Sequence, residues 1–407
     1  MNILICCENF PPSVGGVQEV CYQLAKRFSR LKNEVTVATT WHPYRKNNKT
    51  SNIKIIEFKI TGNFVRGIFG ETKKYINFIK SNNFDVILIY AAQQWTLDLI
   101  LNKIYSVKSK VFLVPCGFSN LYNYRYFDYF KLLKKNFSLF EGFIFHTLSY
   151  RDYFFIRDSG VEDRKLHLIP NGADEIEFKI IMDKNIYKKH FGINEDILLL
   201  TNGSLSDQKG LHEVMIAFDK LNTKLNISLY INTDFNKNII SKIIILSKNI
   251  IKSILGKKIH LDYYKQLSNY AKKINFQKNK KVKIINFDRK KLIRLYKASD
   301  IFVFASKIEY SPLVIFEAMA AKNSIVSHDV GNVEEILNYT NSGILVKSFK
   351  DSSFKSQIDI NDLKLNLEKL IDNQKLRDEF SLNGRKQFIK SFNWKNIFKL
   401  YSKIILN

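Results

Sequence analysis

Short β-branched or apolar runs alternate along this chain with stretches whose apolar residues recur every three to four positions. NILIC at 2–6 comes first, followed by a helical period over 17–32, EVTVAT at 34–39, a helix around 72–82, DVILIY at 85–90 and a helix around 95–105. The runs are continuously apolar and do not alternate, which predicts parallel strands covered by helices on both faces. VFLV (111–114), GFIF (142–145) and LHLIP (166–170) extend the same sheet. After PNGADEIEF (170–178) the rhythm restarts with ILLLTNG (197–203), a helix over 210–221, ISLYI (227–231), KIINF (283–287), IFVFAS (301–306) and SIVS (324–327). The pattern therefore predicts an α/β chain of two Rossmann-like, doubly wound domains, residues 1–175 and 176–392. A last helix, about 393–407, follows FNW and is expected to cross back to the first domain.

Composition sharpens this picture by exclusion. The 407 residues suit two or three domains, and 45% hydrophobic residues suffice for real cores. Sixteen Gly and six Pro are too few for collagen-like or low-complexity chains. Four Cys (Cys6, Cys7, Cys21, Cys116), none in a C-x2-C pair, argue against a disulfide framework or structural zinc and fit a reducing cytoplasm. The N-terminus lacks a basic region before a long apolar stretch, and no run of 18 apolar residues occurs, so neither an export signal nor a membrane span is expected.

Sixty-four Lys and Arg against 38 Asp and Glu leave a net charge of +26, which favours anionic partners. Nucleic acid would rest on that charge alone, since no RRM, zinc-finger or P-loop pattern accompanies it, and is not expected. Two segments concentrate the features of a membrane interface. Residues 118–157 hold 15 of the 55 aromatic residues, interleaved with Arg125, Lys131, Lys134, Lys135, Arg151 and Arg157. Residues 236–291 carry 16 Lys and Arg against two acidic residues. Within them Ile240, Ile243, Ile244, Ile250, Ile251, Ile254 and Leu255 share one helical face. An anionic membrane surface is the expected partner.

Three loops carry candidate chemistry. FPPSVGGVQEV (10–20) follows the first strand and opens a helix, so Gly15 and Gly16 allow a backbone to approach an anion. It lacks the G-x-G-x-x-G spacing of a dinucleotide site. TNGSLSDQKGLHEV (201–214) places Lys209 at the mouth of the next helix, where a point charge and backbone donors suit a diphosphate. In ASDIFVFASKIEYSPLVIFEAMAAKNSIVSHDVGNVEEI (298–336), Glu309 leaves a strand and Glu317 lies inside the following helix. Ser311 and the amides of Leu313 and Val314 open that helix towards phosphate oxygens.

Together with LAKRFSRLKNEVTVATT and the closing FNW helix, these motifs resemble family-four glycosyltransferases, retaining sugar transferases of the two-domain GT-B fold, over most of the chain. The resemblance implies two Rossmann-like domains facing a central cleft and a nucleotide-diphosphate sugar as substrate, with no cofactor. It makes Lys209 the partner of the donor diphosphate and Glu317 that of the ribose. Glu309 would lie beside the transferred sugar, Gly15 and Gly16 would approach the phosphates from the other domain, and PNGAD (170–174) would form part of the hinge. Ser204, a donor-side position, stands where the family usually has Arg. Pro312 has no N–H to offer an anion, and Cys116, on the acceptor side, occupies the place of a frequent His. No Asp-x-Asp pair occurs, so positively charged groups are expected to replace a metal. A lipid-linked or cell-envelope polysaccharide acceptor at the inner face of the plasma membrane is the leading expectation. A nucleotide-sugar epimerase or phosphorylase is the alternative on the same fold.

Overall fold

The computed structural model describes residues 1–45, 49–50, 52–235, 263–350 and 355–406. The chain divides into one unit of Met1–Asn171 with Trp394–Asn407 and a second of Gly172–Asn393. The apolar face predicted for Ile240 to Leu255 lies outside the described residues.

In the first unit the strands are β1 (Asn2–Cys7), β2 (Glu34–Thr40), β3 (Lys49–Thr50), β4 (Ile53–Phe58), β5 (Ile60–Asn63), β6 (Gly67–Gly70), β7 (Val86–Tyr90), β8 (Lys110–Val114), β9 (Gly142–Phe145) and β10 (Leu166–Leu168). The main sheet runs β10-β9-β8-β7-β1-β2-β4-β3, parallel except for β3 against β4. Residues 3–7 of β1 and all of β7 are buried, as continuous apolar runs require of a sheet covered on both faces. The helix Gly16–Arg30 buries Val20, Cys21, Leu24, Ala25 and Phe28 at helical spacing. The C-terminal helix Trp394–Ile405 packs in this unit, burying Trp394, Ile397, Tyr401 and Ile405 and placing Phe398 against Phe28 at 4.9 Å between ring centres.

Two local expectations are corrected. Periodicity predicts one helix over 95–105, but a single α-turn, Trp95–Asp98, is followed by a 3₁₀ segment, Leu101–Ser106. The chain tightens where the amide of Ile100 bonds to the oxygen of Leu97 at 3.0 Å, three residues back. The aromatic segment 118–157 is core as much as surface. Phe118, Tyr126, Tyr129, Phe130, Phe137, Phe140, Phe143 and Phe145 are buried, while Tyr122, Tyr124 and Phe127 are exposed. Edge-to-face rings such as Phe118 and Phe130, 5.2 Å apart, do the packing there.

The second unit builds β11 (Ile197–Asn202), β12 (Ile227–Asn232), β13 (Lys280–Ile285), β14 (Ile301–Val303), β15 (Ser324–His328), β16 (Gly343–Val346) and the hairpin β17 (Ser348–Lys350) with β18 (Ser356–Ile358). Its parallel sheet runs β13-β12-β11-β14-β15-β16. The strand expected at 283–287 begins three residues earlier, because pairing with β12 from Ile227↔Lys280 to Asn232↔Ile285 sets its bounds. The described part of the basic 236–291 segment is ordinary domain material. Lys280 donates to Asp219 O at 2.6 Å and Lys281 to Glu195 at 3.1 Å. The α/β architecture of two Rossmann-like units expected from the sequence is what the structure contains. Among the described residues no helix is long and apolar enough to cross a membrane.

Candidate active site

Chain order reverses between β11 and β14, and a crevice at the carboxyl ends of strands that diverge in this way is where doubly wound sheets hold ligands. The loop after β11 carries Gly203, Ser204 and Lys209. The loop after β14 carries Glu309 and leads through Pro312 into the helix Leu313–Ala320. The two loops are locked together at Gly210. Its φ of +64° lies in the left-handed region, and a Cβ there would stand 1.9 Å from Ala305 O. Gly331, with φ +60°, likewise lets the loop after β15 close on Tyr310, whose oxygen would lie 2.5 Å from an added Cβ.

Lys209 and Glu309, a hundred residues apart, meet through this lock. Lys209 Nζ donates to Glu309 Oε1 at 2.5 Å, and Ser306 Oγ donates to the same oxygen at 2.8 Å. Both side chains keep some solvent access, so the pair stands at the crevice wall. Ser204 is exposed in the same loop. Ser311 accepts from Asn332 Nδ2 at 3.1 Å just before the helix that Leu313 and Val314 open. Glu317 is buried, and one of its oxygens is gripped by Arg289 Nη1. Arg289 Nη2 bonds Glu177 at 2.7 Å on its other side. Its pKa rises despite burial, because the Glu317 and Glu177 carboxylates favour the charged form.

Sequence reading missed Arg289 and Lys307. Arg289 begins a helix capped by the Asp288 side chain, and that N-cap signal was legible. Its partnership with Glu177 and Glu317, 112 and 28 residues away, was not. Lys307 bridges Asp207 at 2.9 Å and Glu213 at 2.8 Å, and its backbone amide bonds Gln208 O at 2.8 Å. It thereby holds the turn that bears Lys209.

The first unit has its own reversal, between β1 and β7. Gly15 and Gly16 sit exposed in the loop after β1, with Gly16 opening the helix. Arg45 fixes that loop, donating to Phe10 O and Pro11 O at 2.9 Å each while pairing with Glu57. The segment after β7 is strained and under-bonded. Ala91 and Gln93 have φ of +74° and +61°, and in the loop after β8 Cys116 and Phe118 have +58° and +44°. Gln93 Nε2, Gln94 Oε1, Thr96 Oγ1 and Asp98 Oδ1 make no hydrogen bond within the described residues. Asp98 Oδ2 accepts from the Phe64 amide at 2.9 Å. Burial pushes its carboxyl up to about 7, and the Phe64 amide and the Tyr129 hydroxyl pull it back only in part. Burial and the charge of Asp152 raise the Cys116 thiol, which stays protonated. Sequence reading named Cys116 but missed this orphaned polar set, whose signal, AAQQWTLD, has no motif character.

The four cysteines are free thiols, and among the described residues no group of three or more His, Cys, Asp or Glu is placed to hold a metal.

Comparison with known proteins places this geometry. Residues 14–176 match Glycosyltransferase Family 4, and residues 183–387 match Glycosyl transferases group 1. An uncharacterized glycosyltransferase of Methanocaldococcus jannaschii is 25% identical over 239 residues, covering 58% of this chain and 52% of the relative. The match thus spans about half the length of that curated relative. Sucrose-phosphate synthase from Thermosynechococcus elongatus shares the fold over 99% of this chain and 98% of its own, with a TM-score of 0.73 at 13% identity. The Anabaena protein HepE, solved with UDP and glucose, does so over 99% and 98%, with a TM-score of 0.69 at 16% identity. Two parallel α/β units with their loops gathered at strand-order reversals, matched over half the chain by one family description, lead to one assignment: the chain belongs to glycosyl transferases group 1, glycosyltransferases of the GT-B fold.

Proposed function

We propose that the protein transfers a sugar from a nucleotide-diphosphate donor to a hydroxyl of a lipid-linked or cell-envelope polysaccharide acceptor, with retention at the anomeric carbon and without a metal ion. The observation that carries this reading is the convergence of Lys209, Glu309 and Glu317 on the β11/β14 reversal of the second unit. Lys209 serves the diphosphate. Its present partner Glu309 lies beside the sugar, so donor binding exchanges one anion for another at the same ammonium. Glu317, oriented by Arg289, accepts from the ribose hydroxyls. Ser204, Ser311 and the amides of Leu313 and Val314 supply further donors, and Gly15 and Gly16, exposed at the start of the helix Gly16–Arg30, are the first unit's anion-approaching positions.

As the bond to the donor breaks, charge develops on the leaving phosphate. A cation and helix-start amides held in place beforehand stabilise that charge without reorganising, and removing one such donor typically costs about 2.7–4 kcal/mol in the barrier. Retention follows if the acceptor attacks from the face the leaving group departs, passing its proton to the leaving phosphate. On the acceptor side the orphaned donor Gln93 Nε2 and acceptor Gln94 Oε1 match the two hydrogen-bonding roles of a sugar hydroxyl. Cys116 lines the same side as a neutral thiol. The work takes place in the cytoplasm, at the inner face of the membrane that bears the acceptor.

The test pairs binding with stereochemistry. Thermal shifts with UDP-, GDP-, ADP- and CMP-sugars should single out one donor, a ligand at 100 times its Kd adding about 2.7 kcal/mol. Folded Lys209→Ala and Glu317→Ala variants should lose that shift and turnover, and NMR of the product should show the donor's anomeric configuration. Variants that bind and turn over the donor like the parent overturn the assignment of the site.

A further inference from the structure

The first unit holds a cavity of about 510 Å³ that no step of sugar transfer uses. It is formed by the edge strand β10 and the residues flanking it, Phe112 in the middle of β8, Glu141 just before β9, and the second half of the C-terminal helix. Its charged residues Glu141, Arg164 and Lys165 stand just before β9 and β10. Its apolar wall is Phe112, Leu168, Ile169, Leu400 and Ile404. The wall depends on Gly142, where an added Cβ would come within 3.0 Å of the His167 ring and 3.1 Å of Phe112.

Its mouth has two characters at once. Leu168 and Leu400 are 42% and 43% exposed, unusual for residues that line a cavity. Lys165 joins them to a third leucine. Its Nζ donates to Phe140 O at 2.7 Å and Ser138 O at 3.1 Å, and between those residues Leu139 is 44% exposed. Two of the three ammonium protons are thereby spent on carbonyls, which fixes the charge in place and leaves a third for a ligand. Arg164 and Lys403 add two further cations, with Glu141 in the lining and Glu162 beside Arg164 as the carboxylates. The pairing of Arg164 with Glu162 at 2.5 Å is a solvent-exposed one of little strength. Lys395, Lys399 and Lys403, spaced by four, lie exposed along the helix that forms one wall.

We propose that this cavity seats an anionic phospholipid of a bilayer, one acyl chain against Leu168, Leu400 and Ile404 and the phosphate on Lys165, Arg164 and Lys403. Exposed leucines interleaved with cations fit a membrane interface, where apolar tips enter the acyl boundary and basic groups meet lipid phosphate. A soluble anion would use the cations alone and leave the apolar wall wet. The inference deepens the membrane part of the proposed function and rests on that part only. Donor binding in the absence of lipid is read separately, so either can fail alone.

The experiment is co-sedimentation of the full chain with phosphatidylglycerol–phosphatidylcholine vesicles and with phosphatidylcholine vesicles, at low and high salt. The parent is expected on the anionic vesicles only. Leu168→Asp with Leu400→Asp, both at exposed positions and checked by an unchanged melting temperature, should weaken binding about tenfold or more. Lys399→Glu with Lys403→Glu should weaken it and flatten its salt dependence. The proposal is overturned if the parent ignores anionic vesicles, or if the leucine variant binds like the parent. It is equally overturned if binding is lost only with Tyr122→Ser and Phe127→Ser, which would move the contact to the exposed aromatic loop.

Discussion

Asp98→Asn tests the electrostatics of the first unit most directly. The carboxyl is 5% exposed and its pKa rises from 3.8 to about 7, so the folded chain keeps a proton that the unfolded chain releases. For an acid raised in this direction, the folded state is favoured while both forms are protonated. That advantage is lost as pH climbs from the unfolded value towards the folded one. Over the whole window, a shift of about three units corresponds to about 4 kcal/mol. Between about pH 5 and pH 8 the same two values give a loss of about 2.6 kcal/mol. Asparagine keeps the acceptor for the Phe64 amide and has no charge to bury. Denaturant unfolding of parent and variant at those two pH values should therefore show the variant losing about 2–3 kcal/mol less between them. Glu8, raised by its own burial, also helps raise Asp98 by its charge, so Glu8→Gln is run alongside as a control. Parallel pH profiles for the two proteins would refute the reasoning, since they would mean that Asp98 ionises in the folded chain as it does in water.

Arg289→Met should strand the buried Glu317 carboxylate and destabilise the second unit by about 3–5 kcal/mol, read by thermal unfolding. Arg289→Met combined with Glu317→Gln should recover much of that loss while still failing to bind donor. Gly210→Ala forces a Cβ towards Ala305 O at 1.9 Å in a left-handed conformation. It should cost more than the roughly 1 kcal/mol of backbone preference alone and lower kcat as the Lys209 loop shifts. An alanine variant with the parent's stability and kcat would show that the two loops are not locked at that point.

The alternation of continuous apolar runs with helical periods determined the α/β class and the two Rossmann-like units, because short apolar runs that recur between amphipathic helices are what parallel strands covered on both faces require. Glu309, Glu317 and Lys209 were legible as residues for the same reason. Strand-to-helix loops announce themselves by where the period changes. What only the tertiary structure decided is whom these residues meet. The ion pair of Lys209 with Glu309, the grip of Arg289 on Glu317 and the under-bonded segment from Gln93 to Asp98 join positions 28 to 100 residues apart or follow from burial. Strand order, not local pattern, sets those distances. The same holds for aromatic residues 118–157, whose composition suggested a surface. Rings become core or exterior according to which face of a helix the sheet covers, so Phe130 went inside and Phe127 did not.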